Sequence, residues 1–203
     1  ISNDAIASVL KEAKRIAPSG ICYKAIVSNA GLEQANGDIL PWFRTAYHKR
    51  QVNNLKTYLS VGTQIISPGH VMLKKSLLPK EWLCHPLDNN GADDYFLWLL
   101  LLDMGIDFVY LDKRLYIHHY TKKNLSSDTA VTDRSSEEFF LYLREIGYPE
   151  KYLKVLERQT EYKAAFRRAD IVLKVWLSLK NFDLFFTNLI FKIRTATGYG
   201  FNR

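Results

Sequence analysis

Two adjacent carboxylates, Asp93 and Asp94, are the side chains with the clearest capacity for chemistry, because they stand at the start of a strongly apolar segment. The eight-residue apolar run that follows, 95–102, predicts a helix. An aspartate at a helix N-cap accepts hydrogen bonds from the first-turn N–H groups, and this role accounts for Asp93. Asp94 would then occupy the first helical position, where the helix dipole favours its ionised form and suits it to accept a proton. Taken alone, such a pair is more often a cap beside a solvated charge.

Two histidines, His118 and His119, form the second candidate group. They lie in an apolar, aromatic segment at 115–120 that predicts a strand, so alternation places their rings on opposite faces. Neutral imidazole beside carboxylates is a common ligand of divalent metals. Without such neighbours, the pair is more simply two surface or half-buried residues of an edge strand.

Composition and motifs exclude several classes of protein. With 47% hydrophobic and 24% charged residues, the 203-residue chain can bury a core, which excludes disorder and collagen. The longest apolar run is far shorter than the ~20 residues of a membrane-spanning helix. Two cysteines, Cys22 and Cys84, are too few for a disulfide framework or a cysteine zinc site, and we expect both in the core of a cytoplasmic protein. The sequence contains no motif of zincin proteases, P-loop NTPases, dinucleotide-binding domains or α/β-hydrolases.

The elements that must position these residues follow a mixed α/β order. Each is bounded by turn residues or by a cap, as at the turn Asn36-Gly37 and the capping box Ser135-x-x-Glu138. The predicted elements are a helix ending before Pro18, a strand at 21–28, a weak helix at 52–59, a short strand at 63–66, a strand or helix at 71–78, an apolar helix at 93–104, strands at 108–111 and 115–120, and a helix from Ser135 to Ile146.

The charge is concentrated at the C-terminal end. Residues 151–203 carry eleven Lys and Arg against four acids, whereas the other 150 residues hold seventeen of each sign. Helical projection gives this segment a wide apolar face. Amphipathic helices that carry Lys, Arg, Trp and Phe are typical of proteins that lie on anionic membrane surfaces. Packing of these helices on the rest of the protein, or on a partner, is an equally good interpretation. Nucleic-acid binding is disfavoured, because aromatic residues alternate with the cations at helix-core spacing and no recognised module occurs.

In order and spacing, several segments between residues 1 and 130 resemble the second half of bacterial family 2 glycosyltransferases with the GT-A fold. The segments are 66–76, Trp82, 90–98, Gly105, 115–119 and 124–126. The resemblance implies a partial α/β GT-A domain that holds the acceptor and catalytic-base half. The change in charge places a boundary near Pro149, so we expect this domain at 1–149 and a basic amphipathic helical tail at 150–203. The family's nucleotide-binding strands and its Asp-x-Asp motif have no counterpart here. We therefore expect a piece of a longer protein that is inactive by itself.

The resemblance also implies a reaction: inverting transfer of a sugar from a nucleotide-diphosphate donor to a saccharide or lipid-linked acceptor, in bacterial surface polysaccharide or glycoconjugate synthesis. The second acid of the pair, Asp94, would be the catalytic base, while Asp93 departs from the commoner Glu. Either His118 or His119 would help to bind a divalent metal, Mn or Mg, on the nucleotide diphosphate. Trp82 could form an acceptor wall with Trp98, although core packing is the simpler account of Trp98. The expected substrate-binding residues are Ser67, Pro68, Gly69, His70, Gly91 and Trp98.

Two other functions remain open from the sequence. One is a noncatalytic domain that keeps the fold and uses its basic helices to bind a membrane or a partner. The other is a metal hydrolase built from Asp93, Asp94 and His118, which would bind metal without nucleotide. For the transferase, we expect a cytoplasmic protein, peripheral on the inner face of the plasma membrane.

Overall fold

The computed structural model describes residues 4–16, 24–34, 36–88, 91–119 and 129–195. Helices and strands are mixed along the chain, which confirms the predicted α/β class. No helix in these ranges has the length and apolarity needed to cross a bilayer. In chain order the elements are α1 (Ala5–Ile16), β1 (Lys24–Glu33), β2 (Ile39–Pro41), α2 (Ala46–Arg50), α3 (Leu55–Ser60), β3 (Val71–Met72), α4 (Lys80–Cys84), α5 (Asp93–Asp103), β4 (Asp107–His118), α6 (Thr129–Glu145), α7 (Glu150–Arg168), α8 (Ile171–Lys180) and α9 (Phe182–Thr195), with 3-10 turns at Gln51–Asn53, Pro68–His70 and Lys75–Leu77.

The chain divides into two compact units that do not follow its linear order. Unit 1 comprises Ile1–Phe43 and Ile65–Phe139, and unit 2 comprises Arg44–Gln64 and Phe140–Arg203. The sequence-based boundary near Pro149 follows the change in charge, whereas packing groups Arg44–Gln64 with the C-terminal helices.

The sheet of unit 1 is built around β1. This strand pairs antiparallel with β2 and β3, and parallel with β4 along a register that runs from Lys24 opposite Asp107 to Leu32 opposite His118. Seven consecutive residues of β1 are buried, as expected of a strand covered on both faces. The register shifts on either side of Asn29, so the local pairing is irregular there.

Helices cover both faces of this sheet. Leu111 of β4 packs against the cluster formed by α1, β1 and β4, while Phe108 contacts Trp98 of α5 at a ring-centroid distance of 5.8 Å. Because side chains three positions apart in a strand point to opposite faces, α1 and α5 lie on opposite sides of the sheet. Burial of these two apolar helix faces is what holds the start of α5 in place.

Several predicted elements differ from those observed. The strands predicted at 108–111 and 115–120 belong to one continuous strand, β4, which ends at His118, because pairing with β1 resumes beyond the irregularity at Asn29. The predicted strand at 63–66 is irregular, and 71–78 forms a two-residue strand and a 3-10 turn. Cys84 is exposed at the end of α4, so its expected place in the core is wrong, and Cys22 lies outside the described residues.

Unit 2 is a helical assembly organised around α7. Tyr162 of α7, Leu177 of α8 and Leu184 of α9 form one apolar cluster. The segment 44–64 is joined to these helices by side-chain hydrogen bonds to backbone carbonyls: Lys163 donates to Val61, and Asn188 Nδ2 donates to Ser60 at 3.0 Å. These bonds satisfy the carbonyls at the end of α3, where the helix leaves them without internal partners.

Candidate active site

The two aspartates are the first two residues of α5, and the helix is capped in an unexpected way. Its N-cap is Ala92, which has no side-chain oxygen, so the predicted capping role of Asp93 is wrong. Ser135 Oγ of α6 instead accepts a hydrogen bond from the Ala92 N–H at 2.9 Å. Asp93 is therefore not the cap, while the Asp94 carboxylate interacts with the first-turn N–H groups of Asp94 and Tyr95.

Asp94 has the electrostatic behaviour expected of a proton acceptor that works near neutral pH. Its side chain is half-buried, and burial raises its pKa from the usual 3.8 to about 7, with a further contribution from the neighbouring charge of Asp93. The backbone N–H groups of Tyr95 and of Asp94 itself lower the pKa, but burial outweighs them. The expectation that the helix dipole alone keeps Asp94 ionised is thus too simple. Both protonation states are populated near pH 7.

Asp93 lines a cavity of about 260 Å³ together with residues of the segment around α4. Trp82 lies at its wall and donates its Nε1–H to the backbone carbonyl of Asp93 at 3.0 Å. The structure therefore brings together Asp93 and the tryptophan that the sequence suggested as an acceptor wall. His85 at this cavity was missed, because a single histidine before a proline carries no recognisable signal. The lining residues are Trp82, Leu83, His85, Pro86, Leu87 and Asp93.

His70 lines a second cavity of unit 1, of about 170 Å³, with a mainly apolar wall formed partly by α1. The imidazole is 4% exposed, and its Nδ1 lies 2.7 Å from the carbonyl of Ser28. Because a carbonyl can only accept, Nδ1 carries the proton and Nε2 holds a lone pair. Nε2 is buried and has no hydrogen-bond partner among the described residues. Burial lowers the pKa of His70 to about 4, so the ring is neutral and Nε2 can accept a hydrogen bond.

Gly69 precedes this histidine in a close-packed turn. A Cβ placed there would lie 2.6 Å from Cε2 of Tyr116, and the Tyr116 ring stacks on that of His70 at 5.9 Å. Ser67 Oγ accepts from the Gly69 N–H at 3.1 Å and caps the 3-10 turn that begins with the exposed Pro68. The space beside Gly69, which was expected to line the substrate, is thus already occupied by an aromatic ring of the protein.

The remaining predicted site residues of α5 and β4 are dispersed. Trp98 is fully buried against Phe108, which favours core packing over an acceptor wall. At Gly91 an added Cβ would make ordinary contacts, the nearest at 3.5 Å to Ser135.

The two predicted metal-ligating histidines differ in their surroundings. His118 is half-buried at the end of β4, whereas His119 is exposed and its Nδ1 lies 2.6 Å from the Glu33 carboxylate. No group of three or more His, Cys, Asp or Glu side chains in the described ranges lies close enough to hold a metal ion. Each histidine could supply one ligand, so the metal implied by the resemblance would need ligands from elsewhere. Asn89, Asn90 and 124–126 lie outside the described residues.

Comparison with known proteins adds no assignment: no family model, curated protein or solved structure matches this chain. Function must therefore be inferred from the site itself.

Proposed function

We propose that this chain is the acceptor and catalytic-base half of an inverting glycosyltransferase with a GT-A-like fold, and that Asp94 is the general base. The supporting observation is a carboxyl at the start of α5 whose pKa is raised to about 7 by burial and by Asp93. A general base is most effective when its pKa is close to the working pH. The segments between residues 66 and 126 that resemble family 2 enzymes provide the second line of support.

In the proposed reaction, Asp94 acts only on the acceptor side. Its ionised carboxylate accepts the proton of an acceptor hydroxyl as the hydroxyl oxygen attacks C1 of the donor sugar from the face opposite the leaving group. The new C–O bond forms as the bond from C1 to the diphosphate oxygen breaks, and the bonding electrons leave with the diphosphate. The product therefore has the inverted anomeric configuration. With a pKa of about 7, Asp94 can accept a proton near neutral pH.

The cavity lined by Asp93, the residue next to the proposed base, suggests where a substrate group would lie. The Trp82 ring at its wall offers an apolar surface on which a sugar ring can stack. The divalent metal implied by the family would offset charge on the departing diphosphate when bound. His118 or His119 would contribute one of its ligands.

The test is a transfer assay on the longest natural protein that contains this sequence, because the resemblance places the nucleotide-binding half before Ile1. Release of nucleoside diphosphate is followed with a panel of nucleotide sugars, with manganese or magnesium, and with saccharide and lipid-linked acceptors. Asp94→Asn should lower kcat by at least 10²-fold, since it removes the general base. The matched control is Asp103→Asn at the opposite end of α5, which should keep turnover near that of the wild type.

Two results would contradict the proposal. Retained turnover in a folded Asp94→Asn variant would remove Asp94 from the base role. Absence of sugar-dependent nucleotide release with every donor would favour the noncatalytic alternative.

A further inference from the structure

Helix α8 exposes its apolar side and turns polar residues toward the protein, which is the reverse of an ordinary surface helix. Six of its seven apolar residues are exposed, while the polar residues Lys174 and Ser178 are half-buried on the side that faces α7. Only Leu177 is buried. A helix that faced water would instead turn its apolar residues inward. The exposed residues are Ile171 (75%), Val172 (75%), Leu173 (44%), Val175 (55%), Trp176 (53%) and Leu179 (70%).

Helix α9 continues the same surface within unit 2. Its buried residues face inward, and Leu184 shares a cluster with Leu177 of α8. The exposed Phe182, Phe186 and Ile193 fall within about 40° of one another at ~3.6 residues per turn, opposite the buried positions. We define the outer apolar face by one set of residues from each helix: Val172, Val175, Trp176, Leu179, Phe182, Phe186 and Ile193.

The charges at the border of this face are mostly positive. Apart from Lys174, which faces α7, helices α8 and α9 carry three cations, Lys180, Lys192 and Arg194, and one acid, Asp183. That acid is held by Arg158 of α7, whose Nη1 lies 3.0 Å from its carboxylate. Lys180 lies with its Nζ 5.1 Å from the centre of the Trp176 ring, at the edge of the face. The surroundings of the face thus favour an anionic partner.

We propose that the outer apolar face docks on an anionic lipid bilayer, with α8 and α9 lying in the plane of the interface. The apolar side chains match the acyl boundary of the bilayer, and the cations at their rim match the anionic headgroups. Helices of 10 and 14 residues are ~15 and ~21 Å long, shorter than the ~30 Å hydrocarbon core, so they lie along the surface. A second copy of the chain fits less well, because a two-fold contact would bring the same cations against each other.

The docking proposal is tested without any transfer assay. Its failure can therefore be distinguished from a failure of the proposed function. The full chain is sedimented with vesicles of phosphatidylcholine and phosphatidylglycerol in a 7:3 ratio, and with pure phosphatidylcholine, at low and at high salt. We expect at least tenfold tighter binding to the anionic vesicles, reduced in 0.5 M salt. Brominated lipids should quench the fluorescence of the bound wild type, and the quenching should be lost in Trp176→Phe.

Paired variants locate the surface. Trp176→Glu combined with Leu179→Glu should lower vesicle affinity at least tenfold, while Leu141→Glu, at an exposed leucine of α6, should leave it unchanged. Lys180→Ser should weaken binding to the anionic vesicles about fivefold. Circular dichroism checks that each variant is folded.

Three results would overturn the proposal: no binding of the wild type to anionic vesicles, unchanged binding by the folded double variant, or a concentration-dependent dimer without vesicle binding. The last would assign the outer apolar face to a second copy of the chain.

Discussion

At the scale of single residues, burial shifts two groups of unit 1 in opposite directions. It raises the pKa of Asp94 to about 7 and lowers that of His70 to about 4, because burial disfavours the charged form of either group. Near pH 7 the carboxyl can therefore accept a proton, and the neutral imidazole offers a lone pair. The sequence identified both residues as candidates. It could not give their protonation, which depends on residues distant in the chain that bury them.

The raised pKa of Asp94 makes stability depend on pH. Between about pH 4 and 7 the folded chain binds this proton more tightly than the unfolded chain, so its contribution to the free energy of unfolding is largest below pH 4 and is lost as the pH rises through 7. Partial exposure of the side chain reduces the effect to roughly 2–4 kcal/mol. We expect Asp94→Asn to raise the free energy of unfolding at pH 8 relative to the wild type, and not at pH 4.

Urea denaturation of both proteins at the two pH values measures this difference. An equal effect of the substitution at pH 4 and pH 8 would show that Asp94 titrates near its usual pKa. Asp103→Asn is the control, since it stands on the same helix at the other end.

At the scale of elements, the start of α5 is organised by α6. Ser135 accepts from the Ala92 N–H, and Glu138 accepts from the Asp88 N–H at 2.6 Å. These two residues were predicted to be the capping box that opens a helix of their own, but Ser135 lies within α6 and both serve the segment that precedes α5. The predicted capping box, and with it the predicted start of the helix at Ser135, is wrong, because α6 begins at Thr129. The contacts that Ser135 and Glu138 make span 43 and 50 residues and leave no trace in the local sequence.

Ser135→Ala tests this arrangement. It leaves the buried Ala92 N–H without an acceptor, and we expect a loss of about 1–3 kcal/mol in the free energy of unfolding. The adjacent Ser136, whose hydroxyl donates to the Thr132 carbonyl at 2.9 Å within the same helix, is the matched control. Ser136→Ala should cost less than about 1 kcal/mol. Equal losses from the two substitutions in chemical denaturation would argue against the capping role of Ser135.

The turn at Gly69 provides a second prediction at this scale. Gly69→Ala places a methyl group against the Tyr116 ring and should destabilise the fold by about 1–3 kcal/mol, because the ring must move away from His70. Shortening the neighbour in Gly69→Ala/Tyr116→Leu should restore part of the loss. A double-mutant cycle measured by thermal denaturation gives the coupling. Additive effects would mean that the ring does not restrict position 69.

At the scale of the whole chain, the packing units differ from the divisions suggested by charge. The sequence predicted the α/β class and most of the helices, since these follow from the periodicity of the apolar residues. It did not predict that 44–64 packs with the C-terminal helices, because the bonds from Lys163 and Asn188 to Val61 and Ser60 span more than a hundred residues. Neither did it predict that α8 exposes its apolar side, because helical projection locates a face without showing what covers it.

Hydrogen exchange tests whether the segment 44–64 belongs to unit 2. Asn188 is buried and donates to the Ser60 carbonyl, so Asn188→Ala removes a link between α9 and the end of α3. We expect faster exchange in both 44–64 and 150–195, with little change in β1 and β4, because neighbouring elements of one unit open together. If 44–64 kept its protection, or lost it together with the sheet, its assignment to unit 2 would be wrong.

The measurement that most directly tests the catalytic role of Asp94 is the pH dependence of kcat/KM for sugar transfer by the intact protein. A base with the pKa of Asp94 gives a rate that rises with pH and levels off above an apparent pKa of about 7. We expect this rising limb in the wild type and in Asp103→Asn, and its loss together with most of the turnover in Asp94→Asn. A wild-type profile that is flat from pH 5.5 to 8, or an Asp94→Asn variant that keeps the rising limb and the turnover, would contradict the role of Asp94 as the proton acceptor.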